Sequence, residues 1–257
     1  MTVLRHQHRA ACGLAALLAL TPAALAGTFS ISPLRVDFAG STKTAALTVR
    51  NEDAAAVVVQ AEGLSWSQEG AGDALASSRD LLVSPAVFTL QPGGQQLVRV
   101  ALRRAPDPAR ELAYRLIVQE VPQAAAPQFT GLRVALRLSV PVFVAPAQTA
   151  PRTAAMTWTA HQEVNGMLAV VARNDGPAHE RIHRFIVRSS DGSRTVAEQP
   201  SLTYVLSGSS RRWTFDDDKI TRTDATSAPL AGITGSYRLE GTTDRGAFAT
   251  ELKLTQD

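Results

Sequence analysis

The sequence predicts an all-β protein made of two β-sandwich domains. Three observations carry that expectation. Apolar residues recur at period two, and no long stretch shows the three-to-four spacing of an amphipathic helix. Turn-forming residues punctuate the chain at short intervals. A proline-bearing stretch without strand pattern, residues 147–152, separates two segments that are each about one sandwich domain in size.

Residues 1–9 carry Arg5, His6, His8 and Arg9 and no acid. Ala10 to Leu20 is a run of small apolar residues, Pro22 breaks it, and Ala24-Leu25-Ala26 precedes Gly27. A basic start, a short apolar run and an A-x-A site form the pattern of a secretory signal peptide over residues 1–26. The apolar run is short for the roughly 20 residues that cross a bilayer. Cys12, the single cysteine, lies within this segment, so a mature chain of 27–257 has none.

The mature chain then alternates. Leu34, Val36 and Phe38 are interleaved with Arg35 and Asp37, and Ala45, Leu47 and Val49 with Ala46 and Thr48. Leu97, Val98 and Val100 follow a turn at Pro92-Gly93-Gly94, and Leu116 to Val121 is a further apolar stretch. Turns fall at Asn51-Glu52-Asp53, Asn174-Asp175-Gly176, Asp191-Gly192, Ser207-Gly208 and Asp244-Arg245-Gly246. The expected domains are 27–146 and 153–257. An internal echo links them: Leu47-Thr48-Val49-Arg50-Asn51-Glu52-Asp53 and Val170-Val171-Ala172-Arg173-Asn174-Asp175-Gly176 both end a strand in a polar turn. Two related Ig-like domains would explain it.

Composition excludes several function classes. A chain 45% hydrophobic and 19% charged fills a core, which argues against a disordered tail. One cysteine excludes a disulfide scaffold and a cysteine-rich zinc site. The net charge of +3 hints at nucleic acid, but removal of residues 1–26 takes away Arg5 and Arg9 and leaves 24 basic against 23 acidic residues. The densest basic pairs, Arg103-Arg104 and Arg211-Arg212, lack interleaved stacking aromatics, so no nucleic-acid partner is expected.

No catalytic constellation emerges. Pro92-Gly93-Gly94 lacks the lysine and helix of a phosphate loop. His179 and His183 fall on a strand pattern, about 13 Å apart along one face, and read as solvated histidines. Asp216-Asp217-Asp218 lacks the spaced ligands and glycine of a calcium loop. The expectation is therefore a protein that is not an enzyme, with no metal, no cofactor and no small-molecule substrate.

The informative element is residues 129–144. Leu132, Val134, Leu136, Leu138, Val140 and Val142 form one parity, and Arg133, Ala135, Arg137, Ser139 and Pro141 the other. It reads either as an ordinary core strand or as an edge strand that lends its backbone and aliphatic side chains to a partner. Pro141 favours an edge, because proline cannot donate to ladders on both sides.

These residues resemble the periplasmic pilus (fimbrial) chaperones of the chaperone–usher pathway. The resemblance rests on Gly27-Thr28-Phe29 leading into Pro33-Leu34-Arg35-Val36-Asp37-Phe38, then on Leu47-Thr48-Val49-Arg50-Asn51 and on Pro85 with Phe88-Thr89-Leu90-Gln91-Pro92-Gly93. Gln96-Leu97-Val98-Arg99-Val100 and Tyr114-Arg115 with Gln119-Glu120-Val121-Pro122 continue it in order and spacing. Tyr204-Val205-Leu206 with Gly208 and Arg212-Trp213 are similar in the second domain.

The resemblance implies two Ig-like β-sandwich domains in an L or boomerang, with a cleft between them. It implies a chaperone that captures a pilus subunit by donor-strand complementation in the periplasm and delivers it to an outer-membrane usher. The donor residues would be Leu132, Val134 and Leu136, continued by Leu138 and Val140. Arg35 matches the first basic anchor for the subunit's C-terminal carboxylate. The second anchor, a lysine in common members, falls at Pro141, which fits a divergent branch. Arg115, on the strand expected to lie antiparallel to the donor strand, is the candidate substitute, with Arg137 a second option. The free protein could also self-associate through the donor strand. The rival reading is an exported Ig-like structural or adhesive pilus component.

Export with cleavage after Ala26 predicts an intact mass beginning at Gly27 for the exported protein. A mass beginning at Met1 would reject it.

Overall fold

The computed structural model describes residues 29–70, 72–122, 134–148, 153–164, 166–192, 195–200, 202–215 and 235–256. The expected signal peptide, Leu132, residues 149–152 of the expected linker and Asp216-Asp217-Asp218 lie outside the described residues. All regular structure described is strand.

The first ten strands are β1 (Phe29–Ser32), β2 (Val36–Phe38), β3 (Thr44–Asn51), β4 (Val57–Glu69), β5 (Gly72–Ser77), β6 (Leu81–Ser84), β7 (Val87–Leu90), β8 (Gln95–Leu102), β9 (Leu112–Glu120) and β10 (Arg137–Val144). They form two sheets, one in the order β1-β3-β8-β6 and one in the order β2-β10-β9-β4-β5, with β7 paired to β4. The period-two pattern explains the packing: Phe29 and Ile31 of β1, Leu47 and Val49 of β3, and Val98 and Val100 of β8 turn inward. They meet Val59, Leu116, Val118, Val140 and Val142 of the opposing sheet in one core.

The second unit comprises β11 (Met156–Gln162), β12 (Leu168–Asn174), β13 (Glu180–Ser189), β14 (Thr195–Gln199), β15 (Thr203–Val205), β16 (Ser210–Phe215), β17 (Gly235–Thr243) and β18 (Gly246–Gln256). Hydrogen bonding links them in the order β14-β13-β17-β18-β11-β12-β16, with β15 on β13. This continuous sheet closes over its own core. Phe185 of β13 packs edge-on against Trp213 of β16, with ring centroids 5.0 Å apart, although these strands are far apart in the hydrogen-bonded order. Trp158 stacks between Trp213 and Phe248 in the same core.

Two strands begin later than the alternation predicts. Leu34 is 73% exposed and lies outside β2, and β10 begins at Arg137. Alternation identifies a face, but it does not say where pairing stops.

The echo between the two halves has a physical cause. Asn51 and Asn174 are both fully buried. Asn51 Nδ2 donates to the carbonyl of Ala55 at 2.7 Å, and its Oδ1 accepts from the Asp53 amide at 2.9 Å. Asn174 Nδ2 donates to the carbonyl of Ala178 at 2.8 Å, and its Oδ1 accepts from the Gly176 amide at 3.0 Å. Each amide also donates to a more distant carbonyl, of Leu90 for Asn51 and of Val205 for Asn174. Each asparagine thus closes its own turn and ties it to a distant segment.

Asn51→Ala and Asn174→Ala should each destabilise the fold by about 2–4 kcal/mol, because several buried backbone groups lose their partners at once. Denaturant unfolding checks this, and a loss below about 0.5 kcal/mol would show these bonds to be dispensable.

Candidate functional site

The candidate site lies on the outer face of the second sheet, where it meets the second unit. Across β2, β10 and β9 the register aligns Asp37 with Phe143 and Ala113, and it pairs Pro141 with Arg115. Arg35, just before β2, has the parity of Asp37. The even-numbered partners Val36, Val142 and Tyr114 point into the core. Arg35, Pro141 and Arg115 therefore form a row on the outer face. The two arginines are separated by two strand spacings, about 10 Å between Cα atoms.

Trp66, Phe143 and Leu206 form a small buried cluster, with Ala113 and Tyr204 packed against it. Gln68 clasps the second unit twice. Its Nε2 donates to the Tyr204 carbonyl at 2.8 Å, and its Oε1 accepts from the Leu206 amide at 2.9 Å. Arg211 Nη1 reaches Asp73 Oδ1 at 2.6 Å. His179 is also part of this junction. Its side chain is only 8% exposed, its ring stacks on Phe143 at 3.7 Å, and Nδ1 lies 2.6 Å from Glu111 Oε1. The expectation of a solvated His179 is thus corrected: strand periodicity placed it on a face but could not show a second sheet pressed against that face. His183 is half-exposed, with Nε2 2.6 Å from Asp244 Oδ1.

The two arginines differ. Arg35 is gripped by Asp37 through Nε–Oδ2 at 2.8 Å and Nη2–Oδ1 at 2.7 Å, and its Nη1 points toward Asp244 Oδ2 at 3.9 Å. Burial alone would lower its pKa, but the hydrogen bond and charge of Asp37 outweigh it and raise the value. Arg115 lies with its guanidinium carbon 3.6 Å from the Trp66 ring centroid and 5.6 Å from that of Tyr204. Burial pulls its pKa down, and Asp73 and Tyr204 offset that only in part. A stacked, partly desolvated guanidinium gains from an added anion, because water screens it little.

Beside Arg35, a cavity of about 280 Å³ is walled by Phe143 and Glu111 from the first unit and by His179, Arg181, Asp244 and Arg245 from the second. It suits a small charged group. Among the described residues no cluster of three or more His, Cys, Asp or Glu is arranged to hold a metal ion.

The aliphatic series divides along β10. Val134 is 60% exposed. Leu136 and Leu138 are half-buried at the margin of the first core. Val140 is 3% exposed inside it. Val140 therefore belongs to its own domain's interior and is not free to be lent, which corrects its place in the donor series. The cause is the opposing sheet, which covers the strand from this point on. On its open side β10 is paired with β2 only from Val142 to Val144, while β9 pairs with it along its whole length. Sequence reasoning missed Trp66, Gln68, Phe143 and Asp244. Only Phe143 carried a signal, as an aromatic on the polar parity of a strand.

Burial alone would raise the Asp244 carboxyl, but the hydrogen bond with His183 and the charges of Arg181, His183 and Arg35 outweigh it and lower the pKa. A carboxylate lowered in the folded state adds stability that is complete above its unfolded value of about 3.9 and is lost as pH falls through the lower folded value. Asp244→Asn should therefore reduce the denaturation midpoint at pH 7 and match the original protein under strongly acid conditions. Equal midpoints at pH 7 would sink this reading.

Residues 28–150 match the family described as pili and flagellar-assembly chaperone, PapD N-terminal domain. No curated protein matches the sequence significantly. Among solved structures, the fold is similar to that in the chaperone–tip adhesin pre-assembly complex CsuC–CsuE of archaic Csu pili from Acinetobacter baumannii. That match has a TM-score of 0.64 at 20% identity and covers 89% of this chain and 99% of the other. The Escherichia coli chaperone DraB gives 0.55 at 19% identity, covering 89% and 98%. The Salmonella enterica SafA pilin–SafB chaperone complex gives 0.54 at 18% identity, covering 87% and 95%.

Proposed function

We propose, from the match of residues 28–150 to the pili and flagellar-assembly chaperone family (PapD N-terminal domain), that this chain is a periplasmic chaperone for pilus subunits. It holds a subunit by donor-strand complementation and delivers it to an outer-membrane usher. Export through the signal peptide of residues 1–26 goes with this reading. So does a division into units 27–146 and 153–257, joined by 147–152.

The observation that carries the proposal is the state of β10. Its aliphatic stripe runs out of the core toward Val134, and the same stretch has an edge that no described strand covers. An unpaired edge with an exposed apolar stripe is unfavourable in isolation and stabilised by an added strand. Val134, Leu136 and Leu138, with Leu132 upstream, are the residues lent, and Val140 secures the strand in its own core. Completing the burial of a leucine or valine contributes up to about 1.5–3 kcal/mol.

Arg35 and Arg115 anchor the subunit's C-terminal carboxylate. Arg35 offers Nη1, since Nε and Nη2 are taken by Asp37. Arg115 supplies the second charge from the strand beside Pro141. Two separate hydrophobic cores among the described residues set this chain apart from the single incomplete domain expected of a structural or adhesive pilus component.

Co-expression with candidate pilus subunits tests the function, with co-purification as the readout. Arg35→Ala should weaken capture about 10- to 100-fold without unfolding the chain, the loss of one charge-assisted bond. Leu136→Asp should abolish capture, because a carboxylate enters an apolar groove only at high cost. Undiminished co-purification of both variants would reject the proposal.

A further inference from the structure

We infer that Pro141 sets the register of capture: it makes the β10 edge accept a strand that ends there and refuse one that continues. The inference rests on the chaperone reading of this edge and adds a specificity-determining residue to it.

The backbone geometry fixes which groups face the edge. The Glu120 amide donates to the Leu136 carbonyl at 2.9 Å. In an extended strand the hydrogen-bonding groups of successive residues point to opposite sides, so Leu136, Leu138 and Val140 face β9. The Ala145 amide donates to the Phe38 carbonyl at 2.9 Å, so the odd-numbered residues face the β2 side. On that side β2 takes the register from Val142 to Val144. Upstream, Arg137 and Ser139 present their backbone groups to an edge with no strand among the described residues. Pro141 is the odd residue between the two stretches, and proline has no N–H. Toward β9 it occupies a non-hydrogen-bonded pair with Arg115, so the proline removes nothing from that ladder.

A strand added in line with β2 and parallel to β10 takes the Ser139 amide on one of its carbonyls. Two residues further on, its N–H donates to the Ser139 carbonyl, but its own oxygen faces Pro141 and finds no donor. If the chain continues, that peptide carbonyl is buried without a partner. If the chain ends there, the oxygen belongs to a terminal carboxylate, and the row that carries Pro141 holds Arg35 on one side and Arg115 on the other. A strand running the opposite way would bring its ammonium end to two guanidinium groups. Pro141 thus removes a backbone donor at the level where the flanking side chains supply charge.

The test uses the subunit that co-purifies with the full chain, once with its free C-terminal carboxylate and once with that carboxylate capped as a primary amide, so that both end at the same level. The original protein should capture the free-carboxylate subunit at least about tenfold better than the capped one. Pro141→Ala restores an edge N–H and should shrink that ratio by about fivefold or more. An unchanged ratio would overturn the inference. Amide hydrogen exchange on the original protein gives an independent readout that needs no variant. On capture, exchange at Arg137 and Ser139 should slow, while Leu138 and Val140, already bonded to β9, should not change. A captured subunit that leaves Ser139 unprotected overturns the register. Failure of the original protein to capture any subunit overturns the chaperone reading itself, and this inference with it.

Discussion

Strand β10 has to be core at one end and edge at the other, and the rest of the molecule is arranged around that constraint. From Val140 to Val144 every residue is buried, and from Val142 onward both neighbouring strands are in place. Toward Val134 the same aliphatic parity rises out of the core and loses its neighbour on one side. A strand free at both ends would slip, because nothing would penalise a shift of register. Here the buried half fixes the register and the open half inherits it.

The second unit completes the site by covering the outer face of the sheet. Strands whose two faces are both buried lose the polar alternation that a half-exposed sheet shows. Phe143 and Trp66 stand on that outer face because Tyr204, Leu206 and His179 press on it. The same contact removes water from around Arg115 and holds its guanidinium on an aromatic plane. Arg35 sits at the mouth of the junction with its own carboxylate partner in Asp37. Arg35 is therefore oriented and neutralised in advance, while Arg115 is desolvated and has no carboxylate within ion-pair distance among the described residues. On the proposed reading, the two arginines together would hold a carboxylate.

Much of this was legible in the sequence, and particular residues show why. The strands declared themselves by period two, and Asn51 and Asn174 declared the repeated turn by their flanking residues. Arg35 could be nominated from the resemblance and Arg115 from hairpin geometry, and the register does pair Arg115 with Pro141. Val140 could not be separated from Leu138, because both are aliphatic on one parity and only the opposing sheet distinguishes them. His179 looked like a surface residue for a similar reason. What hides it is a ring and a carboxylate, Phe143 and Glu111, more than thirty residues away in the chain. Periodicity reports a face. It does not report what lies on that face.

An open apolar edge invites aggregation, so a protein that keeps one must limit what it pairs with. The polar parity of β10 does this with the residues it has. Arg137 is exposed and charged on the open stretch, and Ser139 beside it is polar. Pro141 ends the run of backbone donors before the edge reaches β2. On the chaperone reading, a partner gains from this edge by bringing a groove for the aliphatic side chains and a chain end for the arginines. On that reading, selectivity on this edge comes from what has been removed as much as from what is offered.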